Sequence, residues 1–291
     1  GGHAQIQVLK SFGMKPEAGV RLTLITDVLN TPYSGMLPGH IEGIWSEQDI
    51  YINLVKLARF AGARLIHQSV KSINTDTKTI YLNNKIELKY DVLSLNCGAA
   101  PDLKSIPGAD LYAVAVKPIS LFLNKLPPAR AISGPVCIIG AGAAGAELAL
   151  AFRHRYGASA DIHLIGRPDR VLPTRSRHAS LLLTRALKQN NITLHLGKAV
   201  SQITAKAIHF FDETTLAYNH IFLVTSARPA DWLNGLTVTK DEEGYIQVSN
   251  SLQSVSNKYI FAAGDVASIS GYPREKAGVF AVRAGPVLCH N

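Results

Sequence analysis

Short apolar runs alternate with amphipathic stretches along the chain, and the order of the elements they predict occurs twice. In the second occurrence, residues 135–139 are an apolar strand candidate, followed by a glycine turn at 140–145 and a helical run at 146–155. A strand at 161–165, a helix at 181–189 and a strand at 192–196 come next. Polar-apolar alternation over 199–220 predicts hairpins, and an apolar strand at 221–224 leads to a turn with Pro229. The first occurrence predicts a helix at 5–12, a strand at 21–25, a helix at 50–60 and a strand at 64–67. Hairpin-like strands at 70–73, 79–82 and 86–89 follow, then a strand at 92–95 ending near Gly98 and Pro101.

Strands that alternate with helices in this order predict parallel sheets with right-handed crossovers. The fold class is therefore α/β, with two Rossmann-like domains of three layers (ββα). A late strand candidate at 258–263, the turn Gly264-Asp265 and a helix candidate at 274–288 belong to neither copy by order. Returning them to the first domain makes the second an insertion. The predicted division is 1–117 with 244–291 for the outer domain and 118–243 for the inserted one.

Composition narrows the function. With 291 residues, 47% hydrophobic and 18% charged, the chain has material for two real cores. No run of eighteen uncharged apolar residues occurs, because the most apolar stretch, 135–151, is broken by glycines and Glu147. The net charge of +9 is spread along the chain without a run of five basic residues, which argues against nucleic acid as a partner. A diffuse basic surface suits anionic cofactors or an acidic membrane surface. Three distant cysteines, Cys97, Cys137 and Cys289, make neither a disulfide framework nor a zinc spacing, which fits a reducing, cytoplasmic compartment. Ten histidines without HxH or HxxxH pairing give no metal site. Gly1-Gly2-His3 opens in mid-motif without an initiator Met or secretory leader, as a chain trimmed at both ends would.

The strongest chemical signal is Gly140-Ala141-Gly142-Ala143-Ala144-Gly145 between a strand and a helix. Gly140 permits the tight turn, Gly142 lets a pyrophosphate approach the backbone, and Gly145 allows close helix packing. The acid that grips a ribose 2'-hydroxyl at the end of the next strand is replaced by Gly166-Arg167. Arg167 and Arg170 can pair with a 2'-phosphate, which favours NADPH; two solvated loop arginines explain them equally well.

Together these features resemble the FAD-dependent pyridine nucleotide-disulfide oxidoreductase superfamily over essentially the whole chain. Gly1-Gly2-His3-Ala4 resembles the tail of an FAD-binding glycine motif, Gly140 to Gly145 the NAD(P) motif, and 259–267, Tyr-Ile-Phe-Ala-Ala-Gly-Asp-Val-Ala, the late FAD motif. Within the superfamily, Asn30-Thr31-Pro32-Tyr33-Ser34-Gly35-Met36-Leu37-Pro38-Gly39, residues 58–64 and 276–286 resemble the flavoprotein module found beside or fused with selenide, water dikinase. That module is itself similar to type II NADH dehydrogenases and sulfide:quinone reductases.

The resemblance implies FAD at Gly1, Gly2, His3, Thr26, Pro32, Tyr33, Cys97, Gly98, Gly264, Asp265, Ala277 and Gly278. It implies NAD(P)H at Gly140, Gly142, Ala143, Ala144, Gly145, Arg167 and Ala227. Lys117, at the domain crossover, is placed either as a cation near the flavin or, equally well, as a surface lysine of a linker. The expected activity is hydride transfer from NAD(P)H to FAD and on to a small-molecule acceptor, a quinone or a sulfur or selenium compound. A selenide, water dikinase partner, peripheral membrane contact and a homodimer fit the same resemblance. The rival reading is a dinucleotide-binding sensor or scaffold without turnover. The sequence departs from the family pattern where the third FAD-motif glycine falls at Gln5 and the ribose acid at Thr26, beside Asp27. No cysteine pair four residues apart exists for a disulfide relay.

Overall fold

The computed structural model describes residues 2–128, 132–224, 227–272, 274 and 276–291. The chain divides into two compact units, one of Gly1–Gly35, Tyr51–Ala100 and Ala227–Asn291, the other of Met36–Ile50 and Pro101–Ser226.

The second unit is built on a parallel five-stranded sheet in the order Val114–Ala115, His220–Leu223, Val136–Ile139, Ile162–Gly166, Ile192–Leu196. Strand side chains alternate between faces, and here both faces are apolar, as expected of a parallel sheet covered on both sides. Val136, Ile138, Ile162 and Leu164 join Ala146, Ala149, Phe152 and Leu187 of the helices Ala143–Tyr156 and Arg177–Gln189. Cys137, Ile139, Ile165 and Ile221 face the opposite way, into a cluster with Ile203, Ile208 and Phe210 of the antiparallel sheet Val200–Ile203, Ala207–Phe210, Thr215–Ala217. Helices, parallel sheet and antiparallel sheet form three layers.

The first unit holds the parallel pairs Thr23–Thr26 with Arg64–His67 and Leu93–Leu95 with Ile260–Ala262. Its antiparallel sheet is Val70–Asn74, Thr79–Leu82, Glu87–Lys89. The helices His3–Met14 and Gly278–His290 pack on one another. Gly285 permits this approach, because a Cβ there would lie 2.5 Å from Gln7 Cβ.

The structure differs from the sequence expectations in places. The expected helix at 50–60 is a short strand, Tyr51–Asn53, followed by the helix Leu54–Phe60. The strand pairs antiparallel with Asn30–Pro32, and the Asn53 side chain caps the helix by accepting from the Lys56 N–H at 2.9 Å. The helix expected from 274 starts at Gly278. The seams between units fall at 101 and 227 where 118 and 243 were expected. Val114–Ala115 pairs with His220–Leu223, while Leu233 and Leu236 pack with Ile246, Val248 and Ile260 of the first unit. Residues 36–50 join the second unit, where Leu37 and Ile41 share a core with Phe122 and Phe152. Among the described residues no helix is long and apolar enough to cross a membrane.

Candidate nucleotide-binding sites

In the second unit the strand Val136–Ile139 ends at Gly140, whose φ of 129° is closed to side-chain-bearing residues. Gly142 begins the helix Ala143–Tyr156 without a side-chain cap, and the first turn carries no acid. A Cβ on Gly145 would lie 1.8 Å from the Gly140 carbonyl oxygen, so the inside of the turn is closed. A Cβ on Gly142 would meet nothing within 4 Å, so its outside is open. Helix geometry leaves the Ala143, Ala144 and Gly145 N–H groups without i−4 partners at this opening, where the helix dipole favours an anion. The cradle fits a pyrophosphate.

Beside it, a Cβ on Gly166 would lie 2.5 Å from Ala141 Cβ, so a ribose-gripping acid cannot stand there without displacing the turn. The Leu172 N–H donates to Ala141 O at 3.0 Å and the Lys198 N–H to Gly166 O at 3.0 Å, fixing the loop that carries Arg167 and Arg170 against the glycine turn. Arg167 is exposed. Arg170 donates to Pro173 O through Nη2, while its buried Nη1 has no hydrogen-bond partner. Lys117 follows Val114–Ala115 and precedes the helix Ile119–Asn124 in this unit. Ala227 lies in the other unit, where its carbonyl accepts from the Tyr245 hydroxyl.

Two features of this unit escaped the sequence. Glu147, the one acid of its helix, has its carboxyl pushed up by burial. His163 and His195, on adjacent strands, meet Nδ1 to Nε2 at 2.9 Å with stacked rings, and His163 Nε2 lies 2.9 Å from Asp161 Oδ1. Burial first, then His163 and Lys198, holds the His195 imidazole below the usual histidine range. Spacing rules miss them because they are 32 residues apart; only the register, His163 beside Thr193 and Ile165 beside His195, brings them together.

In the first unit the helix His3–Met14 starts at Gly2, also without a side-chain cap or an acid in its first turn. Gly2 is packed on Asn96, whose Oδ1 would be 2.2 Å from a Cβ there. Asn96 is the residue the sequence reading missed. Its Oδ1 accepts from the Ala4 N–H at 3.0 Å and its Nδ2 donates to Ala263 O at 2.6 Å, tying the helix start to the late turn. Gly264, with φ +71°, is pressed against the same amide. The late turn continues into buried Asp265.

His3 lies 5.2 Å from the Tyr33 ring, next to Pro32 in Asn30–Pro32. Gly278, preceded by Ala277, packs on Ser34, which brings the start of the last helix to the same loop. Thr26 is buried and donates to Val28 O at 3.0 Å, so its hydroxyl closes a local turn. Gly98 has φ +70° and open space beside it. The adjacent Cys97 is exposed at the surface, yet packing around its sulfur pushes the thiol to about 11, so it is a thiol and not a thiolate. Burial pushes Cys137 to about 12. Gly1 lies outside the described residues. Each unit has a helix start beside a glycine-lined turn; in the second the first-turn N–H groups stand open to an anion, and in the first the Ala4 N–H is already held by Asn96 Oδ1. Among the described residues no group of three His, Cys, Asp or Glu could hold a metal ion.

Known proteins resemble the chain in sequence and in fold. The chain is 25% identical over 273 residues to a thioredoxin reductase of Yarrowia lipolytica, covering 86% of this chain and 78% of that one. It is 25% identical over 261 residues to an NADH oxidase of Enterococcus faecalis, covering 83% and 57%. The solved water-forming NADH oxidase from Lactobacillus brevis, bound to NADH, superposes with a TM-score of 0.85 at 22% identity over 100% of this chain and 67% of that one, and shows the fold. The model of the family described as pyridine nucleotide-disulphide oxidoreductase matches residues 1–285, and the chain belongs to that family, whose members are oxidoreductases that use FAD and NAD(P)H.

Proposed function

We propose that the second unit binds NAD(P)H through the glycine turn Gly140–Gly145 and that the first unit binds FAD around Gly2, Asn96, Gly264 and Gly278. The observation that carries the reading is the turn that is closed at Gly145 and open at Gly142, at an uncapped helix start. Together, the two cofactors supply hydride transfer between nicotinamide and flavin. The protein binds, orients and excludes water. Gly142 admits the pyrophosphate to the N–H groups of Ala143, Ala144 and Gly145. Asn96 holds the helix start and the Ala263–Gly264 turn in fixed relation, so that both meet one ligand. Gly166 removes the acid that would repel a 2'-phosphate, and Arg167 and Arg170 follow it, which favours NADPH over NADH.

The second substrate in this reading is a quinone, or a sulfur or selenium compound passed to a selenide, water dikinase domain. The described cysteines are free, and Cys97 and Cys137 carry raised thiols, so no cysteine pair relays electrons between the flavin and the acceptor. The test is anaerobic stopped-flow absorbance of the flavin band on mixing the FAD-loaded protein with NADH and with NADPH. Rapid bleaching, faster with NADPH, is expected. A yellow protein bleached by neither nucleotide overturns the reading.

A further inference from the structure

A cavity of about 320 Å³ in the first unit lies between the helix Gly278–His290 and the segments 250–252 and 264–269. Phe280, Arg283, Ala284 and Val287 line it from the helix, spaced i, i+3, i+4, i+7 and therefore on one stripe. The residues of that helix that pack toward the flavin candidates are others: Gly278 on Ser34, Ala281 near Gly264, and Gly285 on Gln7. Of the flavin candidates only Gly264 and Asp265 touch the cavity. It opens on a different side of the helix from the cradle at Gly2 and Asn96.

Its chemistry is divided by depth. Buried Leu252 and partly buried Ile269, Phe280 and Ala284 give an apolar floor. Arg274 and Arg283 stand exposed at the rim and make no hydrogen bond or ion pair to a described residue. The Arg274 guanidinium carbon sits 5.6 Å from the Phe280 ring centre, at the edge of the floor. Lys276 differs: its Nζ donates to Ala267 O at 2.7 Å and lies 3.7 Å over the Tyr245 ring, and burial lowers its pKa while Asp241 and Asp265 favour its charge. Among the described lining residues the one acid, Asp265, favours the charge of the engaged Lys276, and two guanidinium groups are left at the mouth.

We propose that this cavity is a second ligand site, bordering the flavin cradle at Gly264 and Asp265 but facing another stripe of the helix, that takes a small organic anion: a flat apolar body on the floor and a carboxylate held by Arg274 and Arg283. Guanidinium groups match planar oxyanions in geometry, and the volume falls within the range of small-molecule pockets. The site does not depend on the dinucleotide reading.

The probe is 4-fluorobenzoate, followed by fluorine NMR on the whole chain with and without excess FAD and NADP⁺. Saturable binding unaffected by either dinucleotide is expected. Arg283→Gln and Arg274→Gln, at exposed positions with no hydrogen bond or ion pair to a described residue, each weaken it about tenfold, and neutral 4-fluorobenzyl alcohol binds at least about tenfold more weakly than the acid. Absence of saturation, equal binding to the arginine variants, or displacement by FAD or NADP⁺ overturns the proposal. The last result is informative even if the flavin bleaching experiment fails, because the titration reads occupancy and not turnover.

Discussion

Three glycines of one turn carry different physical loads, and substitution separates them. Gly145 faces the Gly140 carbonyl with no room for a methyl, so Gly145→Ala forces the turn apart and costs about 1–3 kcal/mol of stability, visible as a lower melting temperature. Gly142 has an ordinary φ of −76° and open space, so Gly142→Ala folds normally. In the proposed binding mode its methyl stands where the pyrophosphate approaches, and NADPH binding measured by fluorescence titration is expected to weaken roughly tenfold. A Gly142→Ala protein that binds NADPH as tightly as the parent would move the nucleotide elsewhere. The same reasoning applies at the strand end. Gly166→Glu alone clashes with Ala141 and is expected to lose stability without gaining NADH preference, whereas Gly166→Glu with Ala141→Gly restores folding and shifts preference toward NADH in paired titrations. The tight turn itself was legible as a motif, because glycine spacing is a local constraint. Asn96 was not, because a lone asparagine after a strand has no spacing partner; its value comes from Ala4 and Ala263, far away in sequence.

At the scale of elements, the apolar runs predicted the parallel strands well because both faces of the central sheet are covered. The element starts were less legible. Asn53 ends a strand and caps a helix at once, and the apolar periodicity of 50–60 hides that junction. The His163–His195 contact was invisible for a related reason: it is created by strand register. Because the fold depresses the His195 pKa, the unfolded chain takes up the proton first as pH falls. This contribution to stability is present in full above about pH 6.5 and declines as pH drops through the folded value. His195→Gln is expected to flatten the dependence of the urea midpoint on pH below about 6.5, leaving the midpoint at pH 8 nearly unchanged. An unaltered slope would show that the pair does not titrate with folding. Glu147 works in the opposite sense. Its raised carboxyl is most favourable to folding at low pH and costs stability above the unfolded glutamate value, so Glu147→Gln is expected to raise the melting temperature at neutral pH and not at pH 4.

For the whole molecule, the sequence repeat announced two domains but misplaced their seams, since a repeat marks where motifs recur and not where cores divide. The cores are separate residue sets, one around Phe122, Phe152 and Phe222, another around Ile246, Ile260 and Val266. Separate cores with separate cradles make a thermodynamic prediction, since a ligand stabilises only the unit that binds it, by an amount set by its concentration over its dissociation constant. In differential scanning calorimetry, NADPH is expected to raise one transition and FAD the other, each by about 2.7 kcal/mol of stability at a hundredfold excess over the dissociation constant. Arg167→Ala with Arg170→Ala should reduce the NADPH shift and leave the FAD shift unchanged. Should both ligands move one common transition by the same increment, the two cores unfold as one cooperative body. Should NADPH move the transition that carries the first unit's core, the assignment of the cradles to the units is reversed.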